Sequence, residues 1–308
     1  MRDVFRVAAQ WLEDGHAFAL ATLVTLRDAG TAPVGTTIAV ERGGRVYGNI
    51  GAGCHESEIV EACSKTADDG VTRRLDVNLS GDDVLLGGTA CGAVMQVVTW
   101  RPHGEFLTEA RAIAAGDRDA RIGFVYCDAD GRDVEFEYLF PPKARLILIG
   151  ATALAAELAT IGKRLDYNAV VVDPRPAFAT SERIADAHEL VGAWPQEYLP
   201  HSIDAASPVV VLSHDPKLDL PALRCALNSP APYVALLGSR RSQTSRRAAL
   251  REEGFDDDAL ARIHGPAGLD LGGVTVAETA LSILAEIVAC RRGGAGTPLR
   301  ATRGAIHR

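Results

Sequence analysis

Arg145-Leu146-Ile147-Leu148-Ile149-Gly150-Ala151-Thr152-Ala153-Leu154-Ala155 reads as a short apolar strand that ends in a glycine and runs directly into a helix. A strand with no polar alternation is one covered on both faces. The pattern then repeats, with a helix over Leu154–Arg164, a strand over Ala169–Val172, and strands over Val209–Leu212 and Tyr233–Leu237. A helix over Ser245–Glu253 and a long apolar helix over Val276–Ala289 follow. Alternation of this kind predicts a parallel sheet with helices on both faces, so residues 144–290 are read as a Rossmann-like, doubly wound domain.

The turn Gly150-Ala151-Thr152-Ala153-Leu154-Ala155 stands where such a fold binds a dinucleotide, and Asp173 ends the second strand at the distance of a ribose contact. The second glycine of that fingerprint lets the backbone touch a pyrophosphate. Here it is Thr152, whose branched side chain obstructs the approach. Arg175 adds a cation just beyond Asp173, suited to an extra phosphate. Two further clusters follow strands: Ser213-His214-Asp215-Pro216-Lys217-Leu218-Asp219, and Gly238-Ser239-Arg240-Arg241. A hydroxyl and two guanidiniums at a helix start suit a phosphate. Either cluster alone is equally well read as a solvated loop; on one sheet edge they favour an anionic ligand. In the loop Gly265–Gly272, Asp270 either faces a ligand or caps the loop.

Upstream, residues 1–103 read as a mixed α+β domain. An amphipathic helix carries Val4, Ala8, Trp11 and Leu12, and strands follow over Ala17–Leu26, Thr36–Val40, Val71–Leu79 and Val94–Trp100. Arg42-Gly43-Gly44-Arg45 is a hairpin turn leading to Gly48-Asn49-Ile50-Gly51-Ala52-Gly53-Cys54-His55-Glu56. A thiol at the start of the next helix feels its positive end, which favours the thiolate, the form that binds soft metals or carries sulfur. Cys91, followed by Gly92, is a second glycine-flanked cysteine, and neither belongs to a Cys-x-x-Cys pair. Taken singly, each is better explained as a small buried residue in a tight turn. Residues 104–143 read as a bridging region, with Pro141-Pro142 as a boundary, and residues 291–308 as a loose tail.

With 308 residues, 47% of them hydrophobic and 23% charged, the composition is that of a folded protein with room for two domains. A net charge of −8 argues against a nucleic-acid partner, which needs a basic face. Six irregularly spaced cysteines make no disulfide framework and read as reduced thiols, which predicts a cytoplasmic protein. Met1-Arg2-Asp3-Val4-Phe5 is not the start of a signal peptide, and the longest apolar run, Leu146–Ala156, is too short for a membrane span.

In chain order the motifs are Pro33-x-Gly35, Gly51-x-Gly53-Cys54-x-Glu56, Cys91-Gly92, His214-Asp215-x-Lys217-x-Asp219 and Gly238-Ser239-Arg240-Arg241. Gly268-Leu269-Asp270-Leu271-Gly272 and Glu278…Ser282-Ile283…Ala285-Glu286 complete them. Over nearly its whole length the chain resembles the XdhC/CoxI family, accessory factors for xanthine dehydrogenase and carbon monoxide dehydrogenase. The resemblance implies a chaperone for the molybdenum cofactor (molybdopterin) rather than a metabolic enzyme. Such a factor holds the cofactor while its metal gains a sulfido ligand with help from a cysteine desulfurase. It then passes the cofactor to an apo molybdenum hydroxylase, and works as a homodimer. The implied cofactor-binding residues are Gly51, Gly53, Cys54, Glu56, Cys91, Gly92, Asp173, His214, Lys217, Gly238, Ser239, Arg240, Arg241 and Asp270, with Cys54 and Cys91 as metal or sulfur ligands. Departures from the pattern are Val34 for an arginine, Ala52 and Ala93 for glycines, and Thr152 for the Rossmann glycine. The competing readings are an NAD(P)-dependent oxidoreductase built on the Rossmann half, and a thiol redox protein switching between Cys54 and Cys91.

Overall fold

The computed structural model describes residues 2–27, 32–50, 56–78 and 94–303, and the chain separates into two compact units between Pro142 and Lys143. In the first unit, α1 (Arg2–Glu13) precedes β1 (Phe18–Arg27), β2 (Thr37–Glu41) and β3 (Val46–Tyr47). Then come α2 (Glu56–Asp69), β4 (Arg73–Asn78), β5 (Val94–Trp100), α3 (Phe106–Ala115), β6 (Ala120–Cys127) and β7 (Asp133–Phe140). The order β3-β2-β1-β5-β4 forms one antiparallel sheet, and β6–β7 form a separate hairpin.

Residues Phe18 to Val24 of β1 are all buried because the sheet is covered on both faces. One face packs on α1, α3 and the hairpin through Phe5, Leu20, Val98, Trp100, Ile113 and Phe124. The other packs on α2 through Leu23, Ile38, Ile59, Cys63, Met95 and Val97. The segment expected to bridge two domains belongs to the first unit's core, since Phe106, Ile113, Ile122 and Phe140 are each under 7% exposed. Its short apolar stretches have no core of their own and gain one only against the sheet.

The second unit holds β8 (Ala144–Ile149), α4 (Ala153–Arg164), β9 (Tyr167–Val172), β10 (Glu189–Val191), α5 (Pro195–Tyr198) and β11 (Val209–Val211). It continues through α6 (Pro216–Leu227), β12 (Val234–Leu236), α7 (Arg240–Glu252), α8 (Asp257–Ala261), β13 (Ile263–His264) and α9 (Val276–Arg292). All pairings are parallel, in the order β10-β9-β8-β11-β12-β13. This is the doubly wound order, with its switch point between β8 and β11. Leu146 and Leu148 face α4 and α9, whereas Ile147 and Ile149 face α6 and its neighbours, so the apolar run of β8 fills both layers.

Two elements differ from expectation. Helix α6 has no counterpart in the strand–helix series expected from the sequence. Its opening Asp215-Pro216 has the composition of a loop, but Asp215 caps the helix and Pro216 sits in its first turn, where a missing N–H costs nothing. Helix α7 starts at Arg240 rather than Ser245, because Ser239 caps it and its first turns are too polar to show an apolar stripe.

Trp100 offers the sharpest stability test of the first unit. Its ring stacks on Phe124 at 4.8 Å between centroids and its indole N–H donates to Thr22 at 3.0 Å. Trp100→Ala should cost about 3–5 kcal/mol through the cavity it leaves. Val125→Ala, at a side chain 53% exposed, should stay within about 0.5 kcal/mol. Denaturant unfolding of the full chain, followed by circular dichroism, compares the two.

Candidate functional site

The loops at the carboxyl ends of β8, β11 and β12 meet at the switch point. Gly150, at φ +101°, follows β8, and a β-carbon there would lie 3.0 Å from the Cβ of Ser213, so the turns after β8 and β11 touch backbone to backbone. Only glycine combines that φ with that approach. Thr152 caps α4, accepting from the Ala155 N–H at 3.2 Å.

Beyond Ser213, His214 adopts φ +60°, a left-handed conformation uncommon for a residue with a side chain. The surrounding bonds over-determine it. The Ser213 hydroxyl donates to the buried Asp219 carboxylate at 2.6 Å and accepts the Asp215 N–H at 3.2 Å. Arg246, on α7, donates to the same carboxylate at 3.0 Å and to the His214 carbonyl at 3.0 Å. After β12, Gly238 at φ +132° comes so close to the imidazole that a β-carbon would stand 3.6 Å from His214 Nδ1.

These turns border a cavity of about 460 Å³. It is an open groove: Leu154 and Leu237 supply an apolar floor, exposed Val274 and Val276 an apolar rim, and His214, Thr275 and Thr279 polar edges. Of the residues expected at a ligand, His214 and Gly238 line this cavity. Ser239 follows Gly238 as the cap of α7, accepting the Ser242 N–H at 3.2 Å. Arg240 and Arg241 are exposed in the first turn of α7, and Lys217 is exposed in the first turn of α6. Among the described residues none of these three cations forms an ion pair.

Asp173 does not stand free for a ribose. It is fully buried: Oδ2 accepts the Ala151 N–H at 2.8 Å and an Arg175 guanidinium N–H at 2.7 Å. Its Oδ1 accepts the Arg175 backbone N–H at 3.0 Å and Nε–H at 2.8 Å. Burial alone would raise its carboxyl, but the bonds from Arg175 and then Ala151 outweigh that and hold it below the ordinary carboxylate range. Asp270 is exposed on the loop after β13 and is not among the cavity residues. Glu56 opens α2, where a carboxylate complements the helix dipole. Gly51, Gly53, Cys54, Cys91 and Gly92 lie outside the described residues. Asp219, a member of the 213–219 motif, is paired with Arg246, 27 positions away, which the sequence does not single out.

The family model "XdhC Rossmann domain" matches residues 146–287, and the model "XdhC and CoxI family" matches residues 11–78. The chain is 25% identical to the molybdenum cofactor insertion chaperone PaoD of Escherichia coli (strain K12), over 94% of this chain and 88% of that protein. It is 24% identical to a probable xanthine dehydrogenase component of Bacillus subtilis (strain 168), over 91% and 95% of the two. Its fold matches the crystal structure of a xanthine dehydrogenase from Bacillus halodurans with a TM-score of 0.77, at 18% identity over 94% and 96% of the chains.

The Asp173 pair has a pH signature. Because its folded-state pKa is depressed, its contribution is complete above the unfolded value and is lost as pH falls below about 4 through the folded one. Asp173→Asn should cost about 1–3 kcal/mol at neutral pH. It should also lose stability less steeply than the parent below that pH. Thermal melts from pH 7 to pH 3 would read both, and parallel acid limbs would count against the pair.

Proposed function

Since the chain belongs to the XdhC and CoxI family, we propose that it is a maturation factor for the molybdenum cofactor, which it holds as cargo and helps insert into an apo molybdenum hydroxylase such as xanthine dehydrogenase or carbon monoxide dehydrogenase. The observation that carries this reading beyond family membership is a set of exposed cations in the first turns of α6 and α7, which follow the cavity residues His214 and Gly238 in the chain. Arg240, Arg241 and Lys217 have no ion-pair partner among the described residues. A phosphorylated ligand matches those charges, since guanidinium–phosphate contacts are among the stronger hydrogen bonds a protein makes. The cofactor's phosphate would lie at Ser239-Arg240-Arg241 with Lys217 as a further cation.

The thiols of Cys54 and Cys91, in the first unit, would act on the cargo's metal. A molybdenum centre bearing sulfur ligands is soft, and a thiolate could ligate it, or could attack the persulfide of a cysteine desulfurase, take over its outer sulfur and release the desulfurase thiolate. Gly51, Gly53, Glu56 and Gly92 would contribute to binding the same cargo. The factor would act as a cytoplasmic homodimer. Cys63 does not compete for this role, because burial pushes its thiol up to about 12. An NAD(P)-dependent oxidoreductase is disfavoured by two features of the Rossmann turn: Thr152 takes the place of the pyrophosphate glycine, and Asp173 is occupied by Ala151 and Arg175.

Protein purified from cells that make the cofactor should release stoichiometric pterin, read as its fluorescent oxidation product. Arg240→Ala with Arg241→Ala should lower the retained pterin by about tenfold or more, as expected for lost charge-assisted contacts. Cys54→Ser and Cys91→Ser should lower the molybdenum or the labile sulfur that accompanies it. Absence of pterin from the parent protein would remove the proposal.

A further inference from the structure

Helix α9 carries two apolar faces, and one of them packs within the second unit. Ala280, Ile283, Leu284 and Ile287 are buried in the cluster that holds Leu154, Ala155 and Leu158 of α4. The opposite face repeats at alternating spacings of three and four residues, through Glu278, Leu281, Ala285, Val288 and Arg292. That repeat is the a/d seam of a coiled coil, narrower than the stripe a helix turns to its own core. Leu281 is 51% exposed, Ala277, Glu278 and Arg292 are exposed, and Ala285, Val288 and Ala289 are partly so. A single exposed leucine needs no explanation. A leucine, an alanine and a valine in register, closed at its two ends by opposite charges, do. We infer that this seam is the face on which two copies of the chain meet, α9 against α9 in antiparallel about a two-fold axis at Ala285.

The charges identify the occupant as a second copy. A two-fold interface has to complement itself, so a group on one side of the axis must suit the group on the other. Glu278 and Arg292 each lie seven residues from Ala285, two helical turns away on the same face. An axis at Ala285 therefore sets the carboxylate of each copy against the guanidinium of the other, once at either end of the seam. Both groups are available for this. Among the described residues Arg292 forms no hydrogen bond or ion pair. Glu278 engages only Oε2, with the N–H groups of Val274 and Thr275 and the Thr275 hydroxyl, which leaves Oε1. The neighbouring cation, Arg291, instead lies over the Tyr167 ring at 5.1 Å. Small side chains at Ala277, Ala285 and Ala289 let two helix backbones come close, since the interaxial distance follows the residues at the contact. One helix pair is a small interface, so the dimer should dissociate on the order of micromolar concentrations. The dimer itself belongs to the maturation reading, on which this assignment rests for its role; the face comes from α9 alone.

The test is sedimentation velocity of the full chain over a range of micromolar concentrations, with circular dichroism to check that each variant is folded. Leu281→Glu changes an exposed side chain of the single copy and should weaken the dimer about tenfold or more. Glu278→Lys and Arg292→Glu each place like charges at both ends of the seam, and each should weaken it about tenfold. An equimolar mixture of the two single variants restores an opposite-charge pair at both ends, and should return to near the parental affinity. The capping contact that Glu278→Lys removes stays lost in the mixture, so a merely structural effect would not recover. A parental dimer indifferent to Leu281→Glu and to both reversals would overturn this face and leave the maturation reading intact. A parent that is monomeric throughout yet retains pterin would do the same. Dimers that follow the expected pattern in protein free of pterin would keep the face and remove the maturation reading. A monomeric parent that captures purified apo molybdenum hydroxylase, and loses it with Leu281→Glu, would give the seam to the client and overturn the proposal.

Discussion

The carboxylate of Asp219 is the constraint on which the ligand-facing edge of the second unit depends. A buried ionised carboxylate without partners is too costly to keep, so its neighbours must bring donors to it. Ser213 comes from the turn after β11 and Arg246 from the second turn of α7, while Asp219 itself sits in the first turn of α6. One group therefore ties together a strand end and two helices. Removing Arg246 would leave the buried charge with only a neutral hydroxyl for a partner, the situation that makes broken buried pairs so destabilising. The left-handed His214 is carried by this tie, and with it the open side of the cavity.

Asp173 has a similar partner and the opposite effect. It too is buried and joined to an arginine, but its second partner is the backbone N–H of Ala151 in the turn after β8. A carboxylate that would face a ribose in a dinucleotide-binding relative of the fold is turned inward and braces the turn. Thr152 acts in the same direction by using its hydroxyl to cap α4. Both features fill the dinucleotide side of the switch point with the chain's own hydrogen bonds. The free cations and the cavity lie around the ends of β11 and β12.

A third carboxylate sets the far wall. Glu286 of α9 accepts from the Tyr233 hydroxyl at 2.6 Å, the Gly268 N–H at 2.8 Å and His264 Nδ1 at 3.0 Å. Burial raises its carboxyl, yet these donors together hold it below the ordinary range, and burial followed by the bond to Glu286 drives the Tyr233 hydroxyl up. The loop after β13 is thereby anchored along α9, whose first turn is finished by the capping box between Thr275 and Glu278. With both carboxylate oxygens of Glu286 engaged by donors of this unit, the cluster reads as scaffold.

Residues alone declare the fold class and the sheet edge of this chain. The apolar run of β8, the turn at Gly150 and the strand–helix alternation specify a parallel sheet, because period and composition are local properties that burial on two faces imposes directly. Gly238-Ser239-Arg240-Arg241 is legible for the same reason: a glycine and a cap residue mark a helix start wherever they occur. The start of α7 escapes such a reading because capping places it, not an apolar stripe; α6 does carry a stripe, Leu218, Ala222, Leu223, Ala226 and Leu227, but it opens on Asp215-Pro216 and holds Pro221, residues with the composition of a loop. What the tertiary structure alone decides is which charges are free. Asp173 looks available and is not, Asp219 looks like one member of a motif and is the tie beneath it, and Arg246 carries no local signal. Whether a charged side chain faces a ligand or a buried partner depends on residues brought within 3 Å from 20 or more positions away, as Ala151 is to Asp173 and Arg246 to Asp219. Sequence spacing does not encode that distance; folding does.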